Sequence, residues 1–137
     1  MILFPIVTAQ CDLHVSMQGN DTTTCGSEDS PCATIQQAVW NANENDTICV
    51  WPGEPYHCPS SGEGVYINKS LTISSYNGTE VNVSTVIDYR RQGRAFLFDN
   101  AGQCSLFGFE IANGRSNTSG GAIYAMGTAI SIEQCVF

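Results

Sequence analysis

Leu106-Phe-Gly-Phe-Glu-Ile111 and Ile132-Glu-Gln-Cys-Val-Phe137 decide how this chain is read. Laid over each other at an offset of 26 residues, Leu106 meets Ile132, Phe109 meets Cys135 and Ile111 meets Phe137. Leu71-Thr-Ile73 falls on the same site at an offset of 33. Short apolar pieces recurring at unequal spacing fit strands of fixed place joined by loops of variable length. Several strands per repeat is a solenoid pattern; an antiparallel sandwich is its main rival.

Outward from these segments the texture stays the same. Strands are expected near 48–51, 65–67, 71–74, 85–88, 95–98, 105–111, 122–124 and 129–137. Each piece is too short for a helix, and branched or aromatic residues dominate. Ahead of them, Thr34 to Ala42 reads as a short helix. Thr34 and Gln37 make a Thr-x-x-Gln capping box, and Ile35, Ala38, Val39 and Ala42 fall on one stripe. Residues 10–33 form a polar lead with almost no apolar periodicity. Cys25 and Cys32 enclose six turn-forming residues and are expected to staple it.

Composition narrows the function. Charged residues are 13% of the chain and the net charge is −8. Only Lys69, Arg90, Arg91, Arg94 and Arg115 are basic, so nucleic acid and anionic membrane are poor partners. No stretch approaches the ~18 apolar residues of a membrane span. Residues 1–9 read as the end of a signal peptide, with Val7-Thr8-Ala9 as its cleavage site; an ordinary buried strand is the alternative. Asn20, Asn45, Asn68, Asn77, Asn82 and Asn117 each begin an N-glycosylation sequon. That is six, where chance placement gives about two, and the excess favours a secretory route. With seven cysteines in the chain, disulfides are the expected state. Cys25–Cys32 and Cys49–Cys58 are the expected pairs; Cys11, Cys104 and Cys135 are left unassigned.

The order of motifs resembles a known family. Cys25-Gly-Ser…Pro-Cys-Ala-Thr-Ile-Gln-Gln-Ala-Val39 resembles the start of pectate-lyase-like (pectin-lyase-like) β-helices. Asp46-Thr-Ile-Cys-Val-Trp-Pro-Gly53 with Tyr56 resembles their first coil, and Asn68-Lys-Ser-Leu-Thr-Ile73 and Thr85-Val-Ile-Asp88 continue it. Gly120-Gly-Ala-Ile123 resembles the GGAI motif of chlamydial-type polymorphic outer-membrane protein repeats. The resemblance covers about residues 25–137. It departs from the bacterial family in its many sequons and its lack of a translocator barrel. It implies an all-β, right-handed parallel β-helix, capped by the 34–42 helix and forming part of a longer solenoid.

Chemistry is harder to find. Parallel β-helix enzymes need clustered carboxylates with a basic residue. Asp88, Asp99, Glu110 and Glu133, with Arg90, Arg91, Arg94 and Arg115, are the candidates. A turn aspartate, solvated glutamates and surface ion pairs are the plainer readings of these residues. No nucleophile elbow or phosphate loop occurs, and a metal knuckle at Cys25 and Cys32 lacks a second ligand pair. No catalytic residue, metal or cofactor is therefore expected. Trp40, Trp51, Tyr56, Tyr66, Tyr76, Tyr89 and Tyr124 include possible sugar-stacking residues, with packing as the default reading. The sequence thus predicts a non-catalytic extracellular or cell-surface module for adhesion, matrix or carbohydrate contact, with carbohydrate or surface proteins as partners. The alternative is the first part of a polysaccharide lyase or glycoside hydrolase whose catalytic coils lie beyond residue 137.

Overall fold

The computed structural model describes residues 11–53, 55–57, 64–76, 85–89, 93–113 and 121–137. Several of its strands alternate buried and less buried residues at a period of two, which puts one face in the core. The strands are β1 (Leu13–Val15), β2 (Asp46–Val50), β3 (Tyr56–His57), β4 (Val65–Ile67), β5 (Leu71–Ser75), β6 (Thr85–Asp88), β7 (Phe96–Phe107), β8 (Phe109–Ala112) and β9 (Ile123–Glu133). One helix, α1 (Ile35–Asn41), lies between β1 and β2.

Every named pair of strands is parallel. The larger sheet has the order β1-β2-β5-β7-β4, with β9 also on β7; the smaller has the order β3-β6-β8. Pairing runs at the spacings read from the sequence. Ile73 lies beside Leu106, and Leu106 beside Ile132. The same row continues through Ile48 to Leu13. Four of its five side chains are buried and the last, Ile132, is 41% exposed. Each buried Leu or Ile stabilises the fold by roughly 1.5–3 kcal/mol, so this row is a main element of the core.

The closed solenoid expected from the sequence is not what forms. The described strands make one six-stranded and one three-stranded parallel sheet, with no closed coil among them. Equal repeats would give each sheet one strand per coil. Instead β4 and β5 both lie against the single 12-residue β7, and the smaller sheet is built from strands of two to four residues. An offset of 26 or 33 residues between paired segments requires parallel pairing only. The architecture is all-β, with parallel sheets and one short helix among the described residues.

Element boundaries also shift. The pieces expected at 95–98 and 105–111 merge and split again. β7 runs continuously to Phe107, and Gly108, at φ 81°, separates it from β8. Midway, β7 kinks between Asp99 and Gly102, where its register against β9 slips. Ser70 fills the kink, its hydroxyl donating to Ala101 O at 3.0 Å and accepting from Gln103 N at 3.1 Å. A Cβ on Gly102, at φ 80°, would strike that hydroxyl. The polar lead is not featureless either. It contains β1, whose Leu13, His14 and Val15 are all buried.

The helix is tied down at both ends. Thr34 caps it, its hydroxyl accepting from Gln37 N at 3.2 Å. The second half of the expected capping box is supplied from elsewhere. Gln37 donates to Asn41 Oδ1, while Asp21 Oδ1 accepts from Thr34 N at 2.9 Å. At the other end Lys69 Nζ donates to Val39 O and Ala42 O, at 2.9 and 2.7 Å. A cation there adds a charged donor to the carbonyls of the last turn and suits the helix dipole. The predicted stripe of Ile35, Ala38, Val39 and Ala42 is buried in the core.

Candidate binding cleft beside the helix

Beside its first turns, α1 borders a cleft of about 450 Å³. Ile35, Tyr56, Ile87 and Tyr89 form its floor, and Met17 and Trp40 stand at its mouth. The floor comes from α1, β3, β6 and the residue after β6, so the helix and the smaller sheet build it jointly. All four floor residues are buried, whereas Trp40 is 65% and Met17 44% exposed. Two large apolar side chains left in water over a buried apolar floor are unusual for a surface that stays uncovered.

The polar groups of the cleft are already engaged. Asp21 accepts from Ala33 N and Thr34 N through one carboxylate oxygen and from the Thr34 hydroxyl through the other, at 2.8–2.9 Å. The Gln36 amide grips β4: its Nε2 donates to Tyr66 O at 3.1 Å and its Oε1 accepts from Tyr66 N at 2.8 Å. The Tyr56 hydroxyl donates to Trp51 O at 2.7 Å, and burial pushes its pKa up to about 12. The Tyr89 hydroxyl donates to Ala95 O at 2.7 Å. With these atoms committed, the cleft offers apolar surface and few hydrogen-bonding groups. It suits an aliphatic or aromatic side chain better than a sugar hydroxyl.

Trp40 was legible as an indole lying off the apolar stripe of an amphipathic helix. Met17, in the polar lead, carries no sequence signal. The remaining aromatics have other roles. The Trp51 indole N–H donates to His14 Nδ1 at 3.0 Å, and the Tyr76 ring lies edge-on to Trp51 at 4.9 Å. Burial lowers the His14 pKa, and Glu28 partly offsets this. The Tyr66 hydroxyl donates to Asp99 Oδ2 at 2.9 Å, which raises its pKa. The Arg94 guanidinium sits 4.8 Å from the Tyr124 ring centroid.

The candidate carboxylates lie on both sheets: Asp88 and Glu110 on the neighbouring strands β6 and β8, Asp99 and Glu133 on β7 and β9. Asp88, on β6, accepts from Asn113 Nδ2, and Glu110 is exposed on β8. Asp99 lies opposite Met126, whereas Glu133 lies opposite Phe107 at the far end of β7. Arg90, Arg91 and Arg115 lie outside the described residues. Asp21, Cys25 and Cys32 have ligand atoms within 4.8 Å of one another, but the two sulfurs are bonded to each other and offer no thiolate.

Among the described residues two disulfides are present, Cys25–Cys32 and Cys11–Cys49. The second corrects the expected Cys49–Cys58 pair. β1 lies parallel to β2, which brings Cys11 to Cys49 with Cα atoms 5.6 Å apart. Cys58 lies outside the described residues. Cys104 is a buried free thiol whose pKa is raised by burial, and Cys135 is also free. Disulfides point to a non-reducing compartment. Of the sequon asparagines, Asn20, Asn45 and Asn68 are exposed. Asn77, Asn82 and Asn117 lie outside the described residues, as do the 1–9 segment and Gly120. No helix among the described residues is long and apolar enough to cross a membrane.

Comparison with protein families, curated proteins and solved structures finds no match to this chain. Nothing in those comparisons identifies a pectin-lyase-like repeat family.

Proposed function

We propose that this chain is a non-catalytic contact module of the secretory or cell-surface compartment, binding a protein partner through the cleft beside α1. The observation that carries this reading is Trp40, two-thirds exposed at the mouth of an apolar cleft where Asp21, Gln36, Tyr56 and Tyr89 are hydrogen-bonded within the protein. Tryptophan at the rim of a pocket is a typical energetic centre of protein interfaces. The partner inserts an aliphatic or aromatic side chain, and the net charge of −8 favours basic residues around it. Sequons and disulfides support an extracellular setting.

The test is a ¹⁵N heteronuclear NMR titration with two probes. One is a short lysine-flanked peptide carrying a central leucine and phenylalanine; the other is a neutral oligosaccharide. Saturable shifts at residues 33–40 and at Met17 with the peptide alone support the reading. Shifts with the oligosaccharide alone, or with neither probe, overturn it.

A further inference from the structure

A groove of about 410 Å³ opens in the stapled lead, on residues distinct from those of the α1 cleft. Met17 and Asp21 line the cleft, whereas Gln18, Gly19 and Asn20 between them line this groove. Its chemistry differs too. Gln18, Thr22, Thr24, Asp29 and Ser30 bring amide, hydroxyl and carboxylate groups to it, and Pro31 adds an apolar patch. The walls are held in place. The Cys25–Cys32 disulfide ties them, Asn20 N donates to Pro31 O at 3.0 Å, and Gly26 N donates to Ser30 O at 2.9 Å. At Gly19 they meet so closely that a Cβ would strike Pro31 O and Cys32 O. A preformed groove with several polar groups and one apolar face matches a sugar ring, which has hydroxyls at its rim and C–H bonds on its faces.

We infer that Asn20 carries an N-glycan whose first N-acetylglucosamine lies in this groove. Asn20 and Thr22 are the acceptor and the hydroxyl residue of the sequon Asn20-Asp-Thr22, and both are exposed on the groove wall. The Thr22 hydroxyl is engaged within its own turn, where it accepts from Thr24 N at 3.3 Å. The other two exposed sequon asparagines sit differently. Ser70, the hydroxyl residue of the Asn68 sequon, is taken up by the β7 kink. Asn45 is left-handed at φ 68°, with its N–H bonded to Ser70 O. The glycan comes from a lipid-linked diphosphate oligosaccharide of the secretory pathway. The bond from sugar C1 to the diphosphate oxygen breaks, C1 joins Asn20 Nδ2, Nδ2 gives up one proton and the lipid diphosphate leaves. A sugar tethered to the groove wall has a high effective concentration there, so weak contacts suffice to seat it. This inference rests on the secretory setting proposed above and is independent of the α1 cleft.

The test uses the chain secreted from a eukaryotic host and trimmed by an endoglycosidase to one N-acetylglucosamine per site. Peptide mapping by mass should find Asn20 occupied, and an NOE spectrum should connect its sugar to Thr24, Ser30 and Pro31. Asn20→Gln, which removes this sugar and leaves the other sequons intact, should melt about 3 °C below the wild type. In the unglycosylated, disulfide-bonded chain the same substitution should leave the melting temperature unchanged. Ser30→Tyr, which fills the groove and keeps the sequon, should lose the NOE contacts while Asn20 stays glycosylated. An empty Asn20 beside an occupied Asn45 or Asn68 overturns the inference and leaves the secretory setting standing; a chain with no occupied sequon overturns both. An occupied Asn20 whose sugar shows no contact with the groove, or an Asn20→Gln loss that is the same without glycan, overturns the seating of the sugar.

Discussion

Ile73 on β5 sits beside Leu106 on β7 in parallel register, and both side chains are shut away from water. Leu106 has Ile132 on its other side, so truncating it leaves a cavity lined by two strands. Leu106→Ala should cost about 2–5 kcal/mol. Ile132→Ala, at a residue that is 41% exposed, should cost about 1 kcal/mol or less. Urea unfolding of the two variants checks the difference; equal losses would mean that the row is not built as described.

Asp21 carries three hydrogen bonds at the start of α1, including one from the backbone N–H of its cap residue. Asp21→Ala strands those donors and should lower stability by about 1–2 kcal/mol. Asp21→Asn keeps one acceptor oxygen and should lose less. Thermal unfolding of both variants gives the comparison.

The disulfides differ in the loop that each closes, with sequence separations of 38 for Cys11–Cys49 and 7 for Cys25–Cys32. On the chain-entropy account the first contributes about 4 kcal/mol and the second about 2 kcal/mol. Cys11→Ser with Cys49→Ser should therefore destabilise more than Cys25→Ser with Cys32→Ser. Peptide mapping without reduction should recover Cys11 linked to Cys49. A Cys49–Cys58 peptide would contradict the placement of β1.

His14 accepts the Trp51 indole N–H on Nδ1 and is largely buried, so its folded-state pKa lies below the ordinary 6.5. Protonation costs more in the folded chain than in the unfolded one. The neutral form's contribution is complete above about pH 6.5 and declines as pH falls below it. The melting temperature should drop between pH 7 and pH 5, and His14→Gln should flatten that part of the profile. An unchanged slope in the variant would assign the loss to carboxylates instead.

Parallel pairing was legible because the inward positions repeat: Ile73, Leu106 and Ile132 recur at the spacings at which the strands meet. Closure was not legible, since an offset between two segments records which strands are neighbours and nothing about the path between them. The long β7 hid for a related reason. Asp99-Asn-Ala-Gly102 looks like a turn, and it is instead a kink filled by the Ser70 hydroxyl from another segment. Cys58 is nearer to Cys49 in sequence, whereas the fold carries Cys11 on β1 alongside β2, a proximity that spacing alone does not encode. The cleft has no sequence signature because its lining comes from five separated segments.

The account rests most directly on Trp40. Its side chain is exposed and off the core stripe, so Trp40→Ala should leave the melting temperature within a degree or two of the wild type. Calorimetric titration with the lysine-flanked leucine–phenylalanine peptide should then show affinity lowered about tenfold or more. Unchanged affinity in a folded Trp40→Ala variant would contradict a binding site in the cleft beside α1.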